Sequence, residues 1–360
     1  MDVRIRGTCP RHFALLLGLG ATVLLASACR SGAGTAAPSP SSGSAPSSGT
    51  PRPAHLNYVL TSLVFNVTPE LVAQSKGFFA QENLTVDLPV AGQSASACQQ
   101  VLAKAADIAQ CSLNDMIQAD EAGGARLVMV MNESLTALQY GAMAKPNINS
   151  WNDVKGKTVM VGGPKDNTVY YFHLMARAHG LKDTDYNFQY AGASSARLAA
   201  LKSGGVDISM LANPADIQAE QDGFKRLDNL LPQYLNAGNY AGGGPVVTQD
   251  WAKTHSDELS RYLRAILKSI NWIFDPANKQ ALFEIVGPKL NLTADVFEQT
   301  YQLNVVSSKT WSTNGEIKDS AIQGVLNGLV DLGALKDPTP PASKYYDQSY
   351  LDTALKQNTR

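Results

Sequence analysis

The sequence predicts an α/β protein of two similar lobes, and three observations carry that prediction. Short apolar strands alternate with amphipathic helices along most of the chain, the order that builds mainly parallel sheets covered by helices. A helix–turn–strand–helix device recurs. Residues 102–115 read LAKAADIAQCSLND and residues 201–216 read LKSGGVDISMLANPAD, each with an Asp before a short apolar strand and an Asn opening the next helix. Finally, the part of the chain composed to fold, from Ala54 onward, is about 300 residues, more than one hydrophobic core comfortably serves.

The residues before Ala54 follow a different rule. Arg4, Arg6 and Arg11 precede the apolar run Phe13–Leu25, which falls short of the roughly 20 residues of a membrane span. A basic head, a short apolar stretch and small residues describe a secretory signal peptide over residues 1–28. Leu25-Ala26-Ser27-Ala28-Cys29 resembles the lipobox of bacterial lipoproteins. That resemblance implies that Cys29 becomes the first residue and carries a lipid on its sulfur; an ordinary signal peptide cut nearby is the alternative. Residues 30–53 are Ser, Gly, Ala and Pro with almost nothing to bury, so 29–53 reads as a lipidated cysteine and a disordered tether. A flexible coil of that length reaches roughly 25–30 Å.

The chain is 44% apolar and 17% charged with a net charge of -1. Neutrality without a basic run gives no nucleic-acid surface. Cys98 and Cys111 are the cysteines of the body; outside the cytoplasm they can pair, or they can lie as two small buried side chains, and the sequence leaves both open. His55, His173, His179 and His255 are scattered without metal-ligand spacing, so neither metal nor cofactor is expected.

In chain order, His55–Leu60 reads as a strand. Thr68-Pro69-Glu70 opens a helix, with Thr as cap, Pro in the first turn and an acid at the positive end. Lys76-Gly77 closes it with a left-handed glycine. Leu84–Val90 is the next strand, and Ser94 or Ser96 caps a helix to about Lys104. A strand over Asp107–Cys111, a helix over Leu113–Ala122 and a buried strand over Leu127–Met131 follow. Leu138–Met143 reads as a strand leaving the first lobe. The second lobe opens on the strand Lys157–Gly162, passes GGPKDNT into a helix from Val169 to about His179, and continues through a strand near Tyr186–Tyr190 and a helix near Ala196–Lys202. Residues 240–248, YAGGGPVVT, cross back. Ser256 caps a long helix whose stripe of Leu259, Leu263, Ile266, Leu267, Ile270 and Ile273 faces the core. The expected division is residues 54–143 with 246–360 for lobe one and 144–245 for lobe two. Asp107 and Asp207 read as turn residues before their strands.

Four segments together resemble the substrate-binding proteins of ABC importers: PELVAQSKGFFAQENLTVDL (69–88), VKGKTVMVGG (154–163), LKSGGVDISMLANPADIQAEQDGFKRL (201–227) and WAKTHSDELSRYLRAILKSINWIFD (251–275). The similarity is to the nitrate, sulfonate and taurine group with its pyrimidine- and riboflavin-binding relatives, and it covers most of residues 54–336. It implies the two-lobed periplasmic-binding-protein fold of the second topological type, with the ligand in the cleft. It also implies a monomeric, lipid-anchored receptor on the outer face of the cytoplasmic membrane that hands a small molecule to a permease and its ATPase.

In open α/β sheets ligands lie beyond the carboxyl ends of strands, against helix N-termini. Read with the family's habits, the ligand-binding candidates are Ser62, Phe65, Asn66, Ser94, Ser96, Asn114, Asn167, Thr168, Asn213 and Tyr240. The plain reading of each Ser or Asn is a helix cap, and of Phe65 and Tyr240 core. Lys165 and Arg197 are the basic side chains near these loops, with solvent the default for both. A strongly anionic ligand usually draws an Arg fork, so a neutral or weakly anionic, heteroaromatic solute is favoured over nitrate or sulfonate. An enzyme of the related pyrimidine-synthesis branch would carry a cysteine-rich motif that this chain lacks, and GQSAS (92–96) lacks the second glycine of a nucleophile elbow.

Overall fold

The structure, a computed structural model, describes residues 51–135, 140–230, 232–235 and 240–358. The expected signal peptide, Cys29 and all but the last three residues of the tether lie outside the described residues.

Two five-stranded sheets organise the chain, and they share one topology. The first is built from β1 (Ala54–Val59), β2 (Leu84–Asp87), β3 (Ile108–Cys111), β4 (Leu127–Met129) and β10 (Gly244–Thr248), in the order β2-β1-β3-β10-β4. The second is built from β5 (Tyr140–Ala144), β6 (Thr158–Val161), β7 (Asn187–Tyr190), β8 (Ile208–Ala212) and β9 (Lys225–Asn229), in the order β7-β6-β8-β5-β9. In each sheet four strands point the same way, and one strand delivered by a crossover lies antiparallel between two of them: β10 between β3 and β4, β5 between β8 and β9. The strand expected to close lobe one near residue 138 therefore belongs to the second sheet instead. Its five residues are all buried between β8 and β9, and residues 138–139 of that expectation lie outside the described residues.

Helices connect the parallel strands. In the first sheet α1 (Thr68–Ser75) and α2 (Phe78–Gln81) join β1 to β2, α3 (Ser94–Leu102) joins β2 to β3, and α4 (Leu113–Glu121) follows β3. In the second, α5 (Asn167–Ala178), α6 (Ser194–Lys202) and α7 (Ala215–Gln221) repeat the pattern. Thr68 is the first helical residue of α1 rather than its cap, and Pro69 sits in the opening turn as expected. Gly77 takes φ +69 where the chain must turn left-handed into α2. Asp107 and Asp207 play matching structural parts: their carboxylates accept the N–H of Asn57 at 2.8 Å and of Thr158 at 3.1 Å.

After β10, α8 (Gln249–Thr254) and α9 (Ser256–Phe274) return to the first sheet. His255 occupies the cap position of α9 without a side-chain bond, so Ser256 opens the helix rather than capping it. Its expected stripe is buried throughout. Then α10 (Lys279–Leu290), α11 (Ala294–Tyr301), α12 (Asp319–Asp331) and α13 (Ser349–Asn358) complete the chain. The C-terminal α13 packs on α9, where Leu351 and Ala354 enter the first-lobe core. No helix among the described residues is long and apolar enough to cross a membrane.

Two crossovers join the sheets, residues 130–139 and 230–243. They touch: Glu133 and Ser134 N–H groups both donate to the Gly243 carbonyl at 3.1 Å, and Gly242 donates back to Ser134 at 3.2 Å. A Cβ at Gly244 would collide with the Met131 carbonyl oxygen, so only glycine lets the two segments lie this close.

Candidate functional site

A cavity of about 330 Å³ opens where the carboxyl ends of β1, β3, β6 and β8 face one another across the two sheets. From the first sheet come Ser62 and Asn66 of the loop after β1, Ser94 and its neighbours at the start of α3, and Gln110 to Ser112 at the end of β3. From the second come residues 162–167 between β6 and α5, Ser194 and Arg197 of α6, and Ala212 at the end of β8. Glu133, Tyr140 and Gly242 to Gly244 supply the crossover wall.

The recurring sequence device becomes a recurring site device. Ser94 Oγ accepts the Ser112 N–H at 2.8 Å, and Ser194 Oγ accepts the Ala212 N–H at 3.1 Å, both across 18 residues. Each serine opens its helix and ties it to the end of the strand that follows. Because neither Ser acts as a cap, α3 and α6 both start at the cavity with no side-chain cap. By contrast α4 is capped by Ser112 and α5 by Asp166. The cavity thus has two helix N-termini with free N–H groups, each a site of partial positive charge.

Arg197 adds a full charge. It is 3% exposed, and its guanidinium donates to the Met210 carbonyl at 2.7 Å, the Ala191 carbonyl at 3.1 Å, the Gly192 carbonyl, and Ser194 Oγ at 2.8 Å. The solvated arginine expected from the sequence is instead a buried part of the wall. At position 97, the counterpart in the first lobe, stands Ala97.

Carboxylates oppose these positive groups. Asp115 accepts from Ser112 Oγ at 2.9 Å, and burial, reinforced by the nearby Asp166 charge, lifts its carboxyl to about 6. Burial also pushes the Tyr140 phenol up to about 12. Gln118, on α4, donates 3.1 Å to the Lys165 carbonyl and so bridges the two lobes at the cavity rim.

Of the residues singled out from sequence, Ser62, Asn66, Ser94 and Asn167 line the cavity, as does Cys111. Six others are placed elsewhere. Phe65 packs on Trp311, ring centroids 5.7 Å apart. Ser96 lies two residues past Ser94, where the helical turn carries it off that face. Asn114 accepts the Tyr240 hydroxyl at 3.0 Å, and Tyr240 itself stacks on Tyr170. Thr168 donates to Asp166 and accepts the Gly162 N–H at 2.8 Å. Asn213 is committed to Asp216 and Asn304. These five polar or aromatic groups hold the loops rather than the cavity. Cys98 and Cys111 are joined in a disulfide, Cα atoms 5.8 Å apart, which fastens α3 to β3 directly behind the wall. Sequence reasoning missed Gln110, Asp115, Tyr140, Asp166 and Ser194. Ser194 was recoverable, since it is the position of Ser94 in the second copy of the repeat. Among the described residues no group of three or more His, Cys, Asp or Glu could hold a metal.

Comparison with known proteins gives the same picture of the fold. The family model described as NMT1/THI5 like matches residues 64–279. No curated protein matches the chain. Among solved structures, the alkanesulfonate-binding protein SsuA of Xanthomonas axonopodis pv. citri bound to MOPS superposes with a TM-score of 0.67 at 15% identity, covering 82% of this chain and 99% of that one. The periplasmic nitrate-binding protein NrtA of Synechocystis PCC 6803 gives 0.71 at 12% identity, covering 86% and 90%. The desulfurization enzyme DSZB gives 0.62 at 14% identity, covering 84% and 99%. At these identities the likeness is one of fold, that of the periplasmic binding proteins.

Proposed function

This chain belongs to the NMT1/THI5-like family, and from that premise we propose that it is an extracytoplasmic receptor that binds a small organic solute and delivers it to an ABC importer. The observation that carries the reading is the cavity itself: two uncapped helix N-termini and a buried arginine converge on a space of about 330 Å³ between two lobes joined by touching crossovers. Such a site is concave, largely preformed and sized for a small molecule.

The lining favours a neutral or weakly anionic ligand. Four of the five Arg197 N–H donors are already given to carbonyls and Ser194, so no free fork awaits a sulfonate. Asp115 and Asp166 would repel a strong anion and would accept N–H or O–H donors from the ligand. Tyr140 contributes an aromatic residue to the lining, which is compatible with a flat heteroaromatic compound. A nitrate or sulfonate ligand is the alternative, supported by what the structural neighbours are named as binding. The enzyme reading draws on the neighbour named as a desulfurization enzyme, but the described lining has no histidine, and its cysteine is bonded.

The rest of the proposal concerns placement. A disulfide between Cys98 and Cys111 fits an oxidising compartment. Lipidation at Cys29, the tether over residues 30–53 and docking of a monomer on a permease complete it; replacing Cys29 by Ala is expected to move the protein from the membrane to the soluble fraction. A melting-temperature panel of nitrate, sulfonates, and neutral and weakly acidic heteroaromatics tests the receptor. Stabilisation by the last two classes, abolished by Ser194→Trp, is the expected result. Stabilisation by sulfonates or nitrate alone overturns the ligand class, and turnover of any compound overturns the receptor.

A further inference from the structure

Beneath the crossovers the first-lobe core holds a cluster of acidic and phenolic side chains sealed from solvent. Glu70, on α1, is 0% exposed and Glu133, in the first crossover, 1%. None of their four carboxylate oxygens meets a hydrogen-bond donor in proper geometry. Tyr58, on β1, and Tyr262, on α9, stack with ring centroids 5.3 Å apart, and both hydroxyls are likewise buried and unpaired. Glu70 faces Tyr58 and Glu133, and Tyr262 faces both glutamates. Asn132 of the crossover and Gln110 of β3 each add a further unpaired buried atom. No cation faces the pair from any of these elements.

Two carboxylates in such a place cannot both be ionised, because each would lose its hydration and meet the other's charge. A water or metal ion between them would relieve this, but the four oxygens are sealed from solvent. What remains small enough to sit there is a proton.

We propose that Glu70 and Glu133 form a buried proton-binding site that holds the first crossover to the first-lobe core, tightening the cavity wall when the pair carries its proton and loosening it when the proton leaves. The mechanical link is short. The Glu133 N–H donates to the Gly243 carbonyl at 3.1 Å, its carbonyl accepts the Ser312 N–H at 2.8 Å, and Glu133, Gly243 and Gly244 all line the cavity. Repulsion between the two glutamates would therefore bear on the crossover segment that Glu133 belongs to and on its bonds to Gly243 and Ser312.

Burial, the largest cause, lifts the Glu70 carboxyl to about 7 and the Glu133 carboxyl well above the usual range. The same burial raises both phenols, so Tyr58 and Tyr262 stay protonated across the physiological range. A folded-state value raised above the unfolded one means that the pair's stability is complete below the ordinary carboxyl range and falls as pH rises through about 7.

The test uses the full-length protein and needs no ligand. Infrared titration reads the C=O stretch of protonated carboxyl groups; hydrogen exchange reads residues 130–134 and 243–245. The site predicts a protonated-carboxyl band that persists until about pH 7 and shrinks in Glu70→Gln on an Asp115→Asn background; Asp216, whose carboxyl burial also raises, is common to both spectra. It also predicts crossover exchange that rises by up to about tenfold per pH unit beyond intrinsic base catalysis between the ordinary carboxyl range and about pH 7, and that loses this excess in Glu70→Gln. Should Glu70→Gln fail to fold, Glu133→Gln serves for both readings. A wild-type spectrum with every carboxyl ionised by about pH 5.5, roughly one unit above the ordinary range, would overturn the site. A persistent band with pH-independent crossover exchange would overturn the coupling.

Discussion

Arg197 enters the cavity wall with its charge balanced by carbonyl dipoles rather than by a carboxylate, which makes it both a brace and an electrostatic feature of the site. Arg197→Met would take the guanidinium from the Met210, Ala191 and Gly192 carbonyls and leave Ser194 Oγ with the Ala212 N–H alone. Unsatisfied buried acceptors cost about 1–3 kcal/mol each, partly relieved where the cavity admits water, so a loss of about 2–4 kcal/mol is expected in urea unfolding. A neutral outcome would mean that the guanidinium is not held as described. Asp115 carries the second residue-scale prediction. Its carboxyl is raised to about 6, so the folded protein binds the proton more tightly than the unfolded chain does. Stability should therefore fall as pH rises from about 4 to about 6, by at most about 2–3 kcal/mol. Asp115→Asn should flatten that slope, which melting curves across the window would read. At this scale the sequence was only half legible. Ser62, Ser94 and Asn167 stand at strand ends and helix openings, features that local patterns reveal. Arg197 was misread because one Arg in an exposed-looking helix start gives no sign that three carbonyls converge on it from β8 and the α6 turn.

Elements show more clearly than residues. The stripe of α9 and the fully buried strands β3 and β8 follow from periodicity and apolar runs, and tertiary packing adds nothing that contradicts them. Where β5 lies is a different matter. An apolar strand between two turn-rich segments can serve either sheet, and what decides is its antiparallel pairing with β8 and β9, long-range contacts with no local signature. The element-scale prediction concerns α3, whose position depends on the Cys98–Cys111 disulfide and on the Ser94 bond. The bridge closes a segment 13 residues long; cross-links of that span restrict the unfolded chain enough to stabilise by about 3 kcal/mol. Reduction, or Cys98→Ser with Cys111→Ser, is expected to lower the urea midpoint accordingly. Because Cys111 and the start of α3 both line the cavity, the same change should weaken whatever stabilisation a ligand gives. A reduced protein with unchanged midpoint would contradict that contribution to stability.

The whole molecule is two copies of one sheet topology, each lending the other a single antiparallel strand through a crossover. That exchange places the cavity at the carboxyl ends of both sheets, lets helix N-termini converge on it from opposite sides, and leaves two touching segments as the parts able to flex. The duplicated device at residues 102–115 and 201–216 made the two lobes legible from the start, whereas the ligand stays illegible because its contacts come from loops and from side chains far apart in sequence. The central claim is that this cavity carries a solute without changing it. Native mass spectrometry of the protein purified gently from its host, followed by denaturation, addresses that claim most directly. The account predicts one small, neutral or weakly anionic organic molecule per chain, released unaltered and missing from Ser194→Trp. The same molecule retained by Ser194→Trp, or a passenger released as a chemically altered product, would contradict it.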